Sequence, residues 1–157
     1  MKIIQLLEED FLNYKKPAML IGFPYCTFKC QKENPLVQCH NSWMAKAPII
    51  DISIEECLQI YQKNFLTEAI ICQGLEPLES SNDVLHLLEA FRKISQDDFV
   101  IYTGFNESEI KPQLKLLKQY PNVIIKFGRF IPGHNPHYDP VLGVELASDN
   151  QYAEKIS

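Results

Sequence analysis

Cys26, Cys30 and Cys39, spaced C-x3-C-x8-C, are the residues of this chain best suited to chemistry. Thiolate sulfur is a soft donor that suits iron and zinc. Three thiols are one short of a closed zinc site, and they suit a cluster with one open metal position. His40 and Asn41 follow Cys39 directly. Cys57 and Cys72 bring the total to five cysteines. An odd number argues against a disulfide framework and for metal or redox use of some of them. Cys57 falls on the apolar stripe of a predicted helix and Cys72 inside a predicted strand, so both are assigned to packing.

The elements around these residues set their positions. Residues 18–23 read as a buried strand, ended by Pro24. The cysteines therefore lie on the loop leaving a strand's C-terminal end, the edge where α/β folds bind ligands. Ser53 and Glu56 form a capping-box pattern. It opens a predicted helix with Ile54, Cys57, Leu58, Tyr61 and Phe65 on one face. Residues 68–72 read as a second buried strand, followed by the Gly74 to Pro77 turn. A helix over 80–94 follows, with Val84, Leu87, Leu88, Phe91 and Ile94 inward and His86 on the polar side. Residues 99–102 and 123–127 read as further strands, and 106–120 as helical with Pro112 in the first turn. Residues 1–14 admit a strand plus a short helix, and their apolar pattern leaves the assignment open. Pro132, Gly133, Pro136 and Pro140 mark a long loop, so His134, His137 and Asp139 are read as turn residues rather than metal ligands. An edge strand over 141–147 and a terminal helix over 150–156 close the chain. Strands alternating with helices predict a single α/β domain with a mostly parallel sheet, either an open partial (βα) barrel or flavodoxin-like. The units are too few to close an eight-stranded barrel.

The cysteine stretch resembles the cluster loop of radical S-adenosylmethionine (SAM) enzymes, usually C-x3-C-x2-C. Eight residues rather than two separate Cys30 from Cys39. Cys39-His40-Asn41 resembles the end of that loop in the activating proteins of anaerobic ribonucleotide reductase. Gly74-Leu75-Glu76-Pro77 looks like the family's Gly-Gly-Glu-Pro, with Leu75 in place of the second glycine. Tyr102-Thr103-Gly104 resembles a Tyr-Thr-Gly after a later strand. Phe127-Gly128-Arg129-Phe130-Ile131 resembles Asp-Gly-Pro/Arg-Phe-Ile, with Phe127 where Asp is usual. Ser148-Asp149-Asn150-Gln151 resembles Ser-Ser-Asn-Gln. The matches run in order from about Gly22 onward.

The resemblance implies a four-iron, four-sulfur cluster (4Fe-4S) on Cys26, Cys30 and Cys39, with SAM on the open iron. It implies a shelf for the SAM amino group at Gly74, Leu75, Glu76 and Pro77. Asn41, Thr103, and Ser148 with Asn150 are implied as further contacts. The implied partners are the large anaerobic ribonucleotide reductase subunit, which receives a glycyl radical, and a flavodoxin or ferredoxin-like electron donor. Residues 31–38, with Pro35 on the return, are expected to form a solvent-facing excursion that leaves the ligands in place. Two alternatives stand beside this. One is another small radical SAM enzyme acting on a small molecule, of the carboxydeazaguanine synthase type. The other is a non-enzymatic zinc module on Cys26, Cys30, Cys39 and His40, for which the adjacency of Cys39 and His40 makes joint ligation awkward.

Composition bounds the classes. A chain of 157 residues with 46% apolar and 22% charged residues has enough material for one proper core. A net charge of −5 speaks against a broad nucleic-acid surface. No apolar run approaches the roughly 18 residues of a membrane helix. The N-terminal residues lack the layout of a signal peptide, so a cytoplasmic location is expected.

Overall fold

Strands buried on both faces need helices to return the chain between them, and the apolar runs of this sequence fold that way. The computed structural model describes residues 1–33, 39 and 41–157. The chain opens with β1 (Lys2–Ile3), β2 (Gln5–Asp10) and β3 (Ala18–Phe23), then a short helix α1 (Lys29–Glu33). Next come β4 (Ile50–Asp51), α2 (Ile54–Lys63), β5 (Ala69–Gly74), α3 (Ser81–Arg92) and β6 (Asp98–Tyr102). After α4 (Lys111–Leu117) and β7 (Val123–Phe127), it closes with β8 (His137–Asp139), β9 (Val144–Leu146) and β10 (Tyr152–Lys155).

Six strands form the main sheet in the order β10-β7-β6-β5-β3-β2. β3, β5, β6 and β7 are parallel neighbours, while β2 and β10 pair antiparallel at the two edges. The architecture is α/β with a mostly parallel mixed sheet. The four parallel strands follow one another in chain order, without a reversal.

Side chains alternate across each strand and so sort into two clusters. Met19, Ile21, Phe23, Ile70, Cys72, Phe99, Ile101, Ile125 and Phe127 meet the apolar faces of α2, α3 and α4. Ala18, Leu20, Ile71, Val100 and Ile124 face the other way, against Tyr14, Leu142 and Leu146. All three crossover helices thus cover one face. A turn of chain and the β8–β9 ribbon cover the other, helped by Tyr14 and Lys16, which both donate to Asp98 at the start of β6.

Several sequence expectations change. Tyr152–Lys155 form β10 where a terminal helix over 150–156 is expected. Tyr152 stacks near Phe127, with ring centroids 5.3 Å apart, and Ala153 turns to the opposite face, so the free edge on β7 prevails over helical propensity. The strand expected over 141–147 shortens to β9 and pairs with β8 away from the main sheet, because Leu142 and Leu146 are needed to cover the second face. No helix forms in 1–14. The segment supplies two strands, and β2 takes the open edge of β3. α2 and α3 stop before Phe65 and Ile94, which are 96% and 41% exposed rather than on the inward stripes. Ser53 does cap α2, accepting from the Glu56 amide at 3.0 Å, and Pro112 does sit in the first turn of α4. Among the described residues no helix is long and apolar enough to cross a membrane.

Candidate functional site

The parallel strands end on one edge, and the loops leaving them enclose a cleft of about 190 Å³. Its floor is set by strand register. Gln73 at the end of β5 and Tyr102 beside Lys126 line it, all on the face away from the helices. Its walls are the cysteine loop on one side and the Gly74–Glu76 turn and the Thr103–Gly104 loop on the other.

The first of these loops is zipped to the turn. Leu75 N–H donates to the Phe23 carbonyl at 3.1 Å and Glu76 N–H to that of Tyr25 at 3.0 Å. Asn41 donates its side-chain amide to the Gly74 carbonyl at 3.0 Å, tying the chain after Cys39 to the end of β5. Gly74 has φ +107°, which favours glycine, whereas Leu75 keeps a negative φ. The conformational demand of the turn thus falls on its first residue, and a leucine is accommodated where the resembling motif has a second glycine.

Glu76 is buried, yet it points at three donors. One oxygen accepts from Leu78 N–H at 3.1 Å and the Thr103 hydroxyl at 2.8 Å, the other from Gly104 N–H at 2.8 Å. Burial pushes its carboxyl up to about 6, while the three donors and the Lys126 charge pull it down. This explains the Thr103-Gly104 pair, whose hydroxyl and amide hold the carboxylate. Alanine at Glu76 is expected to cost about 3 kcal/mol in chemical denaturation, since three donors lose their acceptor at roughly 1 kcal/mol each. A carboxyl whose folded pKa is raised contributes stability that is full below the ordinary value and is lost as pH rises through the folded one. Wild type minus Glu76→Gln should therefore show a stability difference that declines between about pH 4.5 and 6. A flat difference would remove Glu76 as the titrating group.

The five thiols divide by location. Cys26, Cys30 and Cys39 are half-buried and all line the cleft. Cys57 and Cys72 are fully buried against the helices. Burial pushes the Cys26 thiol up to about 11, opposed by the Phe28 N–H that donates to its sulfur at 3.2 Å. Burial raises Cys30 too, with the neighbouring Cys39 adding to it. Among the described residues no cation lowers Cys26, so its setting is that of a protonated thiol rather than an activated nucleophile. As donors, three thiols are of the type that iron or zinc accepts. Among the described residues no three His, Cys, Asp or Glu side chains are packed closely enough to hold a metal ion as they stand. His40, the fourth ligand of the zinc alternative, lies outside the described residues.

α1 carries Cys30 and is held down by charge. Arg129 makes a two-pronged pair with Glu109 at 2.8 and 2.7 Å and reaches Glu33 at 3.2 Å, while Lys29 also pairs with Glu109. Arg129 holds the Glu109 carboxyl well below the usual carboxylate range. Residues 31–33 of the expected excursion thus belong to an anchored helix, and residues 34–38 lie outside the described residues.

No family model matches the chain, and no curated protein or solved structure is significantly similar to it.

The remaining expected residues divide as follows. Thr103 is on the cleft wall with Asn41, Gly74, Leu75 and Glu76. Pro77 is buried behind it, starting the 3-10 turn Pro77–Ser80. Ser148 is fully buried, its hydroxyl accepting from Ile131 N–H at 3.3 Å. Asn150 donates to the Arg129 carbonyl at 2.8 Å and lines a neighbouring cleft that shares Cys30 and Arg129. Both support loops. Their motif neighbour Gln151 is the one that reaches the main cleft. Phe127 points into the helix-side core, so the position where Asp is usual faces away from the cleft. Lys126, one residue earlier, faces it. Sequence reading passed over Lys126 because it stands within an otherwise apolar strand, although a charged residue inside a buried run is itself a signal. His134 and His137 take separate partners, Asp149 and the Gln151 carbonyl, and Asp139 accepts from three backbone amides.

Proposed function

We propose that this chain is a radical SAM activase that installs a glycyl radical on an anaerobic ribonucleotide reductase. One observation carries the reading. Cys26, Cys30, Cys39, the Gly74–Glu76 turn and Thr103 are scattered along the sequence yet meet at one cleft, on the C-terminal edge of a parallel sheet. That edge is where α/β folds bind ligands. The strand succession in chain order, with helices on one face, favours an open partial (βα) barrel over a flavodoxin-like sheet, whose strand order reverses.

Cys26, Cys30 and Cys39 would hold a 4Fe-4S cluster, giving up their protons as they bind. Gly74 to Pro77 would form the shelf for the amino group of SAM, with Glu76 kept in place by Thr103 and Gly104. When bound and reduced by a flavodoxin or ferredoxin-like donor, the cluster supplies the electron that splits SAM into methionine and a 5′-deoxyadenosyl radical. The chain's own part is to orient the ligand and exclude water. An open cleft suits a large partner that presents a backbone glycine and covers the site itself.

The test mixes anaerobically reconstituted, reduced protein with SAM and the reductase of the same genome. A glycyl radical doublet should appear by electron paramagnetic resonance and vanish with Cys26→Ala. SAM cleavage with consumption of a small molecule, and no reductase radical, would favour the carboxydeazaguanine synthase type of enzyme. Zinc without SAM cleavage would overturn both.

A further inference from the structure

We propose that Arg129 is the positioning residue of Cys30, clasping the longer cysteine loop of this chain to the cleft wall through Glu33. The proposal rests on the reading above only in taking Cys26, Cys30 and Cys39 as metal ligands.

Cys30 is carried by a helix that cannot hold itself. α1 is five residues long, and none of them is buried. A helix that short is marginal in water, because few hydrogen bonds offset the cost of its nucleus. It is entered through Phe28 at φ +51°, and the amides of Gln31 and Lys32 both donate to the Phe28 carbonyl, at 3.0 and 3.1 Å. The ion pairs from α1 to the rest of the chain straddle the thiol. Lys29, one residue before Cys30, pairs with Glu109, and Glu33, three residues after it, pairs with Arg129.

Arg129 uses every nitrogen of its guanidinium. Nη1 and Nη2 donate to the two Glu109 oxygens at 2.8 and 2.7 Å, and Nε faces Glu33 at 3.2 Å. Such a fork has direction, which a lysine ammonium lacks. Both posts are fixed in turn. Glu109 accepts from Asn106 N–H at 2.9 Å, and the Arg129 carbonyl accepts from the Asn150 amide at 2.8 Å. The Glu33 side chain is half exposed, so in itself the tie is weak. It acts on a helix without apolar packing, however, and there a weak tie decides where the helix lies. Glu33 is the third residue after Cys30, so a spacing of two residues before the next cysteine would contain no such tie. The longer loop brings its own anchor, and Cys30 stays beside Cys39 on the cleft wall.

The experiment uses the full chain, handled anaerobically. Hydrogen exchange by mass spectrometry reads the order of residues 29–33, and titration with Co²⁺, followed by thiolate-to-cobalt absorption, reads the ligands. Arg129→Met and Glu33→Gln should each speed exchange at 29–33 about fivefold and leave α3 and β5 unchanged. Each should weaken Co²⁺ about tenfold, as loss of a partner that orients a metal ligand does. One variant removes a positive charge and the other a negative one. A long-range field would therefore move the affinity for a cation in opposite directions, whereas a clasp moves it the same way in both. Added salt should speed exchange at 29–33 more in wild type than in either variant. Glu33→Gln spares the Arg129–Glu109 pair, so it carries the test if the Arg129 variant does not fold. Opposite shifts in affinity, unchanged affinity, or unchanged exchange at 29–33 overturn the proposal. If wild type takes no Co²⁺, the metal reading fails, and exchange alone decides the clasp. Acceleration confined to 29–33 then supports it, and unchanged or chain-wide exchange overturns it.

Discussion

Alanine at Cys26, Cys30 or Cys39 is expected to abolish iron binding by anaerobically reconstituted protein, each variant losing nearly all iron, sulfide and visible absorption. Alanine at Cys57 or Cys72 should leave all three unchanged. The contrast follows from position. The first three thiols share a cleft that a ligand can enter, while the other two are fully buried between sheet and helices. Burial pushes Cys57 up to about 12 and Cys72 well above its ordinary value, so neither offers a thiolate. Their alanine variants lose a small apolar group and should be about 1 kcal/mol less stable. At the cleft thiols, which are only half-buried, removing one should change packing little and remove a proposed ligand. Full iron retention in any cleft variant would strike that cysteine from the ligand set. Iron loss in Cys72→Ala would point to a collapsed fold, which a denaturation midpoint would reveal.

The parallel strands were legible because both of their faces are buried, so each wrote a continuous apolar run such as Ala69 to Cys72. α2 was legible from its cap at Ser53. β10 was not, because Tyr152 to Lys155 carries no apolar alternation strong enough to announce an edge strand. What makes it one is the unpaired edge of β7, a partner that does not exist in the local sequence. The candidate site shows the same division. Cysteine spacing and the Gly74 turn are local patterns. Lys126 and Gln151 acquire meaning only when register and loop packing bring them beside Glu76 and Gly128. Ser148 and Asn150 show the converse, a motif whose neighbour reaches the cleft while they brace the loops behind it.

Gly74→Ala should destabilise the fold by about 3 kcal/mol or more, close to the upper range for single substitutions. A Cβ there would stand 2.7 Å from Phe23 N, 2.9 Å from Phe23 O and 3.0 Å from the Gly22 carbonyl carbon. All three atoms are backbone, and they belong to β3, which pairs directly with β5 at Phe23 and Gly74. A flexible side chain would swing aside, but strand backbone yields only by breaking the ladder. Positive φ adds its own penalty of roughly 1–2 kcal/mol for an L residue. Gly133→Ala separates the two effects, because Gly133 also has positive φ, +82°, and nothing lies within 4 Å of its added Cβ. It should lose only the conformational part, about 1 kcal/mol. If chemical denaturation gives the two variants equal losses, close approach to β3 is not what fixes the turn. If Gly74→Ala loses far more, the turn is locked to the strand that feeds the cysteine loop. Glu76, two residues on and bonded through its N–H to the Tyr25 carbonyl, then holds its spacing from the cysteine loop because turn and loop are joined backbone to backbone.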